Sequence, residues 1–224
     1  MTFINQCKYT VWPALVGNVY LSTTGFVLPS GQNSTLTVPV KWEGIILGRT
    51  LCTTDAITGN FSCVTADCNS GNIACHRYPS PPNTLVKFRL DFNGLDSYAV
   101  TFEDGFNLPV IVVPTSGSGS NCVSTGCAVD LNAVCPTELK VTRNEQVVAC
   151  RNPCSGNRSL CEPSVYYKII KTACPQAYFT SLHDYQTMNF SCSNPADYNI
   201  VFCPTPARLD QLLRLSHQFS VVRC

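Results

Sequence analysis

The stretch "GNFSCVTADCNSGNIAC", residues 59–75, carries three cysteines among small and polar residues. Together with Cys52 upstream, it places four cysteines between residues 52 and 75. Such a short segment cannot bury an apolar core of its own. We therefore predict that residues 52–75 form a small lobe that disulfides hold in shape.

Cysteine is frequent along the rest of the chain as well. The sequence has 15 cysteines in 224 residues, a density typical of proteins that fold in an oxidising compartment. Structural zinc sites favour Cys-x2-Cys pairs with histidines at matching spacing, whereas the three histidines here are scattered. We therefore predict disulfides in an extracellular protein, with no metal site and no cofactor.

The start of the chain and its sequons bear on the same prediction. Residues 2–13, "TFINQCKYTVWP", lack the basic and apolar regions of a signal peptide, so we expect this chain to represent a mature form. Four Asn-x-Ser/Thr sequons suit secretion and are candidate glycosylation sites; they begin at Asn33, Asn60, Asn157 and Asn189.

Charge and hydropathy exclude several classes of partner. The formal net charge is +1 and only 13% of the residues are charged, so the chain lacks the basic surface that nucleic acids or anionic membranes require. No apolar run approaches the roughly 20 residues of a membrane-spanning helix. We therefore expect no nucleic acid partner and no membrane span.

Strand patterns run through the whole sequence. Alternating and β-branched segments such as "LVKFRLDF" and "SYAVTFE" are separated by Gly, Pro, Asn and Ser. Two segments favour short helices: "DLNAVCPTEL", with Asp130 as its N-cap, and "EPSVYYKIIKTAC", with Pro163 near its start. The pattern predicts a mainly β protein with a cysteine-rich, partly helical section.

The cysteine-rich stretch and several others resemble the thaumatin-like proteins. In residues 59–75 the similarity includes Gly59, Phe61, Cys63, Ala66-Asp67-Cys68 and Cys75. The other matching segments are "TFINQCKYTVWP", "STTGFVLPSG", "GRTLC", "DGFNLPV", "GCAVDLNAVCPTEL", "CEPSVYYKIIKTACPQAY" and "YNIVFCP". The resemblance covers residues 2–204 and identifies the chain as a member of this family.

This resemblance implies a flattened β-sandwich of about eleven strands with two attached lobes. The main sandwich would comprise residues 1–51, 76–121 and 175–204, with a small disulfide-tied lobe at 52–75. A long disulfide-rich, partly helical lobe would span residues 122–174. Residues 205–224 would form a C-terminal extension, and a cleft would lie between the sandwich and the long lobe.

The resemblance also implies a disulfide pattern, which spacing alone leaves open. Its pairs are Cys7–Cys203, Cys52–Cys63, Cys68–Cys75, Cys122–Cys192, Cys127–Cys174 and Cys135–Cys150. The segment "CSGNRSLC", residues 154–161, is shorter than its family counterpart, and we expect a direct Cys154–Cys161 bridge there. Cys224 would then remain free, in a monomer or in a Cys224-linked dimer.

The acidic cleft of the family is altered in this chain. By resemblance its arginine corresponds to Arg49 and two of its aspartates to Asp104 and Asp184. Its glutamate is replaced by Lys87 and its remaining aspartate by Ala99. Trp42, Tyr78 and Phe106 could stack on sugar rings or pack in the core, and Phe106 is included among the candidate ligand-binding residues.

Residues 86–107 contain the other acids that could take part in catalysis. Strand alternation predicts one outward face and one inward face on each side of an Asn93-Gly94 turn. The predicted outward residues are Lys87, Arg89, Asp91, Ala99, Thr101 and Glu103, and the predicted inward ones are Phe88, Leu90, Phe92, Tyr98, Val100 and Phe102. Asp91, Asp96 and Glu103 could substitute for the missing acids, or they could be solvated strand and turn residues.

The resemblance implies a secreted plant defence protein of the pathogenesis-related type. By this resemblance, many family members bind β-1,3-glucans, some hydrolyse them weakly, and some are antifungal or allergenic. A glycosidase needs two carboxyl groups, one of them protonated near neutral pH, and a neighbouring cation disfavours that state. We therefore predict non-catalytic binding of β-glucan or another cell-wall glycan, with Asp104 and Asp184 as the candidates if there is catalysis. A weak endo-β-1,3-glucanase and a receptor ectodomain or protein-binding module remain alternatives.

Overall fold

The computed structural model describes residues 1–154, 165–179, 190–193 and 196–205. One α-helix, α1, spans Val165–Ala173, and two 3-10 helices span Leu131–Val134 and Thr137–Leu139. The strands are β1 Thr2–Asn5, β2 Trp12–Gly17, β3 Asn33–Thr35, β4 Glu43–Thr54, β5 Phe61–Thr65, β6 Leu85–Phe92, β7 Leu95–Thr101, β8 Val110–Pro114, β9 Thr125–Cys127, β10 Lys140–Arg143, β11 Gln146–Cys150, β12 Phe190–Ser193 and β13 Tyr198–Phe202. The predicted mainly β class is confirmed.

Two sheets pack face to face. The five-stranded sheet has the order β3-β1-β13-β8-β9. The six-stranded sheet has the order β12-β7-β6-β4-β2, with β5 paired to β4 off this path. Both sheets together contain the eleven strands expected of the sandwich. The five-stranded sheet includes β9, so the sandwich extends past the boundary predicted at residue 121.

The core lies between the sheets because the strands alternate as the sequence predicts. Along β6, Phe88 and Leu90 are buried, whereas Lys87 is partly exposed and Arg89 exposed. The Phe88 ring lies 5.8 Å from Tyr98 and 5.0 Å from Tyr198 of the opposite sheet. Aromatic contacts of this kind join the two sheets.

The β6–β7 hairpin departs from simple alternation at one point. The predicted Asn93-Gly94 turn is present, with both residues at positive φ. A register shift lies between Arg89 and Phe92, where Asp91 adopts a φ of 52°. This bulge carries Phe92 to the outer face, where the Arg89 guanidinium lies 3.8 Å from its ring centroid. The prediction that Phe92 points inward with Phe88 was therefore wrong.

The segment predicted as a helix capped by Asp130 forms two 3-10 turns. The Asp130 side chain accepts a hydrogen bond from the backbone N–H of Asn132, as an N-cap does. Pro136 separates the two turns and interrupts the ladder of backbone hydrogen bonds. The second predicted helix is α1, and Pro163 lies outside the described residues.

Six disulfides join described residues, in the pairs that the resemblance implies. They are Cys7–Cys203, Cys52–Cys63, Cys68–Cys75, Cys122–Cys192, Cys127–Cys174 and Cys135–Cys150. Cys154 is also disulfide-bonded. Its expected partner Cys161 lies outside the described residues, as do Cys224, which was expected to stay free, and the sequons at Asn157 and Asn189. The sequon residues Asn33 and Asn60 are exposed.

Candidate functional site

The outer face of the six-stranded sheet provides the floor of the candidate site. At one end of this face, side chains of the small lobe cover the sheet; the buried cluster comprises Ala14, Leu47, Ala66, Cys68, Cys75 and Leu85. Beyond it, strand register places Ile45 beside Lys87 and Lys87 beside Ala99. The two altered cleft positions, Lys87 and Ala99, are therefore neighbours on adjacent strands.

Lys87 makes an ion pair with Glu103, and its Nζ donates a hydrogen bond to Glu103 Oε2. The Lys87 Nζ also lies 5.3 Å from the ring centroid of Tyr178. Burial opposes the charged ammonium, but the hydrogen bonds to Glu103 and Tyr178 outweigh it and raise the pKa of Lys87. The Lys87 ammonium is therefore fixed by an acid and an aromatic ring.

Tyr178 is held in this position by an isolated parallel bridge to Thr101, at the end of β7. Its N–H donates to the carbonyl of Val100 at 3.0 Å, and its carbonyl accepts from the N–H of Phe102 at 2.9 Å. The Tyr178 hydroxyl donates to Glu103 Oε2 at 3.5 Å. The backbone thus sets the ring beside Lys87 and Glu103.

Asp104 lies in the turn that follows β7. The N–H of Gly105 donates to the carbonyl of Phe102 at 2.8 Å, and Gly105 has a φ of 100°. A Cβ at Gly105 would lie 2.5 Å from the carbonyl oxygen of Cys150, so both the conformation and the space require glycine. One oxygen of Asp104, Oδ2, is buried without a hydrogen-bond partner among the described residues.

Tyr78 borders the same acids. Burial raises the pKa of Tyr78, and the nearby Asp104, Glu103 and Tyr178 act in the same direction. The Tyr78 side chain is nevertheless 57% exposed, so part of its ring faces solvent. We call Lys87, Glu103, Asp104, Tyr78 and Tyr178 the Lys87 cluster.

Arg49, predicted to line the cleft, lies beneath the small lobe and is only 1% exposed. Its guanidinium donates to the backbone carbonyls of Trp12 at 3.1 Å, Ile73 at 2.6 Å and Pro13 at 3.5 Å, and it lies 5.3 Å from the Phe61 ring centroid. Burial lowers the pKa of Arg49 to about 10, although nearby Asp67 opposes this shift. Arg49 therefore links the small lobe to β2 by hydrogen bonds. Its guanidinium donates to backbone carbonyls of the protein and does not face a ligand cleft.

The three aromatic residues singled out from the sequence differ in exposure. Phe106, predicted to contact the ligand, is fully buried and packs edge-to-face on Phe102 at 5.7 Å. Trp42 is also fully buried. Tyr78 is the one of the three that can stack on a sugar.

Asp96, a candidate substitute acid, lies in the interior of the sandwich. It is 2% exposed, and its carboxylate accepts from the N–H of Asp91 at 2.8 Å and from the Tyr198 hydroxyl at 2.9 Å. Burial raises the pKa of Asp96. This residue ties the β6–β7 bulge to the opposite sheet and does not line the candidate site.

The structure thus brings Lys87, Ala99, Glu103 and Asp104 together, whereas Asp184 lies outside the described residues. Tyr178, in the segment "ACPQAY" of the family resemblance, carries no local sequence signal for a role in this site. Tyr178 is brought here by its pairing with β7, a contact between residues far apart in sequence. Among the described residues, no group of three or more His, Cys, Asp or Glu side chains could hold a metal ion.

The structure is a two-layer β-sandwich with disulfide-tied lobes and a polar cluster on one sheet face. It therefore belongs to the disulfide-rich, mainly β proteins. The sequence model of the thaumatin family matches residues 5–204. The chain belongs to the thaumatin family. Its many disulfides fit an extracellular protein, and no described helix has the length and apolar character to cross a membrane.

Relatives of known name include a thaumatin-like protein 1 of Prunus persica, 41% identical over 91% of this chain and 89% of the relative. A PR5-like receptor kinase of Arabidopsis thaliana is 42% identical over 91% of this chain, which spans only 34% of that relative. The solved structure of the thaumatin-like xylanase inhibitor matches with a TM-score of 0.53 and 25% identity, covering 91% of this chain and 98% of the other.

Proposed function

We propose that this chain is a secreted, non-catalytic defence protein that binds β-1,3-glucan or a related cell-wall glycan at the Lys87 cluster. Sugars are bound by aromatic faces together with charged and polar groups that hydrogen-bond to hydroxyls. The cluster offers the exposed ring of Tyr78 beside the carboxylates of Asp104 and Glu103. The Lys87 ammonium adds a donor to this polar surface.

The Lys87–Glu103 ion pair is the observation that carries the non-catalytic part of the proposal. Glycoside hydrolysis normally requires one protonated carboxyl group and a second carboxylate on the other side of the scissile bond. Position 87 holds a cation paired with Glu103 in place of a carboxyl group, and Ala99 beside it supplies no carboxyl group at all.

Co-sedimentation of the oxidised protein with insoluble β-1,3-glucan tests the binding proposal. Tyr78→Ala should reduce the bound fraction at least fivefold, because it removes the exposed ring. Tyr9→Ala is the matched control, since Tyr9 is a partly exposed tyrosine at another place on the surface. Equal binding by Tyr78→Ala and the original protein would reject the Lys87 cluster as the glycan site.

A second candidate function is the binding of a carbohydrate-active enzyme. The observation that favours it is the similarity to a solved protein named as a xylanase inhibitor. Inhibition of a purified endo-xylanase by the intact protein would support this function. Full xylanase activity at a large excess of the protein would count against it.

A further inference from the structure

Two loops at one end of the six-stranded sheet present exposed apolar side chains. β2 ends at Gly17, which is in register with Gly44 near the start of β4. The loop after β2 carries Tyr20, which is 92% exposed, and the loop before β4 carries Val40, which is 72% exposed. Together with the partly exposed Val19 and with Lys41, they form a surface that we call the Lys41 tip.

Hydrogen bonds from Asn18 hold the two loops together. Its N–H donates to the carbonyl of Glu43 at 2.9 Å, and its side-chain oxygen accepts from the N–H of Glu43 at 2.9 Å. Its side-chain amide donates to the carbonyl of Lys41 at 3.1 Å. The Lys41 tip therefore consists of two loops joined by hydrogen bonds, and its exposed side chains point away from the core.

The backbone at Lys41 is unusual for its residue type. The N–H of Trp42 donates to the carbonyl of Pro39 at 3.3 Å, which closes a turn with Lys41 at its third position. Lys41 has a φ of 61°, a conformation that glycine adopts more readily. A non-glycine residue held in this conformation carries a backbone strain cost. The turn therefore retains a lysine where glycine would be less strained.

Lys41 makes no ion pair within the described part of the chain. The two ion pairs found there join Lys87 to Glu103 and Arg89 to Glu43, at 3.6 Å for the second pair. Glu43, the acid nearest to Lys41 in sequence, is therefore engaged by Arg89. The Lys41 tip thus combines an unpaired cation with projecting apolar side chains.

We propose that the Lys41 tip docks into the substrate cleft of a glycoside hydrolase. A projection of this kind fits a concave partner, and a glycosidase cleft combines apolar surface with paired carboxylates that complement Lys41. The tip offers too few hydrogen-bonding groups for a glycan. One cation and three apolar side chains make a weak membrane anchor. This proposal rests on the enzyme-binding function above and is independent of glycan binding at the Lys87 cluster.

Affinity for immobilised intact protein, with purified endo-xylanase and endo-β-1,3-glucanase as probes, tests the proposal. At least one enzyme should bind, and Tyr20→Ser and Val40→Ser should each weaken binding at least tenfold. Ile57→Ser and Val134→Ser are the controls, since both replace exposed apolar residues elsewhere, and they should leave affinity within twofold.

Lys41→Gly separates a binding role from a structural one. This substitution relieves the positive φ, so the variant should unfold at the same or higher denaturant concentration than the original protein. Because the cation is lost, its enzyme affinity should nevertheless fall at least tenfold, and raised salt should affect the variant less than the original.

Several results would overturn the proposal. If an enzyme binds but the tip variants bind it equally well, the enzyme-binding function stands and the docking surface lies elsewhere. If neither enzyme binds, both the docking proposal and the enzyme-binding function fail, whereas glucan co-sedimentation is unaffected. Binding to phosphatidylcholine–phosphatidylserine vesicles in place of the enzymes, or self-association lost in the tip variants, would assign the tip to a membrane or to a second copy.

Discussion

Arg49, Lys87 and Arg89 are cations of the same sheet, yet they lie in three environments. Arg49 is buried and bonded to backbone carbonyls, Lys87 is half-buried beside Glu103, and Arg89 is exposed over Phe92. Residue type alone would assign all three to solvent or to a ligand. Their surroundings assign the first to the fold, the second to the candidate site and the third to the surface.

Replacing Arg49 tests its structural assignment. Arg49→Lys should lower the free energy of unfolding by about 2–3 kcal/mol, because one ammonium cannot replace a guanidinium that reaches several carbonyls. Denaturant unfolding with the disulfides intact measures this loss. Arg89→Lys is the matched control and should cost no more than about 0.5 kcal/mol at its exposed position. Equal small losses in the two variants would contradict the assignment.

The Lys87–Glu103 pair should add little to stability, because both side chains are partly exposed. A double-mutant cycle with Lys87→Met and Glu103→Gln should give a coupling of at most about 1 kcal/mol. A coupling well above this value would mean that the pair is a structural element and that its place in the candidate site is secondary.

At the scale of elements, the β6–β7 hairpin shows what the sequence predicts and what it does not. Asn93-Gly94 is a strong turn signal, and alternation correctly places Lys87 outward and Phe88 inward. The bulge at Asp91 has no such signal, because it depends on the Asp96 carboxylate that binds the Asp91 N–H. The outward position of Phe92 follows from this bulge in the hairpin.

Asp96 should make stability depend on pH. Burial raises its pKa in the folded chain, so the folded state binds this proton more tightly than the unfolded state. Its stabilising contribution is fully present below the ordinary aspartate pKa of about 3.9 and is lost as pH rises through the raised value. The stability of the original protein relative to Asp96→Asn should therefore increase from pH 7 to pH 4. A constant or falling difference would contradict this environment.

Two glycines with positive φ should respond differently to a methyl group. Around Gly94 a Cβ would meet nothing within 4 Å, so Gly94→Ala should cost about 1 kcal/mol from backbone strain alone. At Gly126 a Cβ would lie 2.3 Å from the carbonyl oxygen of Val110. Gly126→Ala should therefore cost about 3 kcal/mol or more, as β9 is forced away from β8. Similar unfolding free energies for the two variants would refute this packing.

At the scale of the whole molecule, one disulfide and one strand pairing both join the two ends of the sandwich. Cys7 and Cys203, 196 residues apart, join beside the parallel strands β1 and β13. Replacing both cysteines with serine should lower the free energy of unfolding by about 5 kcal/mol according to the loop-entropy model. The same change at Cys68 and Cys75, only 7 residues apart, should cost about 2 kcal/mol. Unfolding free energies that reverse this order would contradict the model for this chain.

The candidate site was harder to predict than the fold. Strand alternation and cysteine density indicate a disulfide-rich β protein, because both depend on short-range pattern. Tyr178 and Tyr78 join Lys87 only through pairings between distant segments, which no local pattern reveals. The burial of Arg49 and Phe106 likewise depends on how the small lobe and the long lobe cover the sandwich.

We propose that this thaumatin-family chain binds glycan without cleaving it. The most direct measurement compares sugar release from insoluble β-1,3-glucan by the original protein and by the Lys87→Glu/Ala99→Asp double variant, with the bound fraction measured in the same tubes. We predict that the original protein sediments with the glucan and releases no sugar above the protein-free control. Sugar release by the original protein, or its failure to bind the glucan, would contradict the claim.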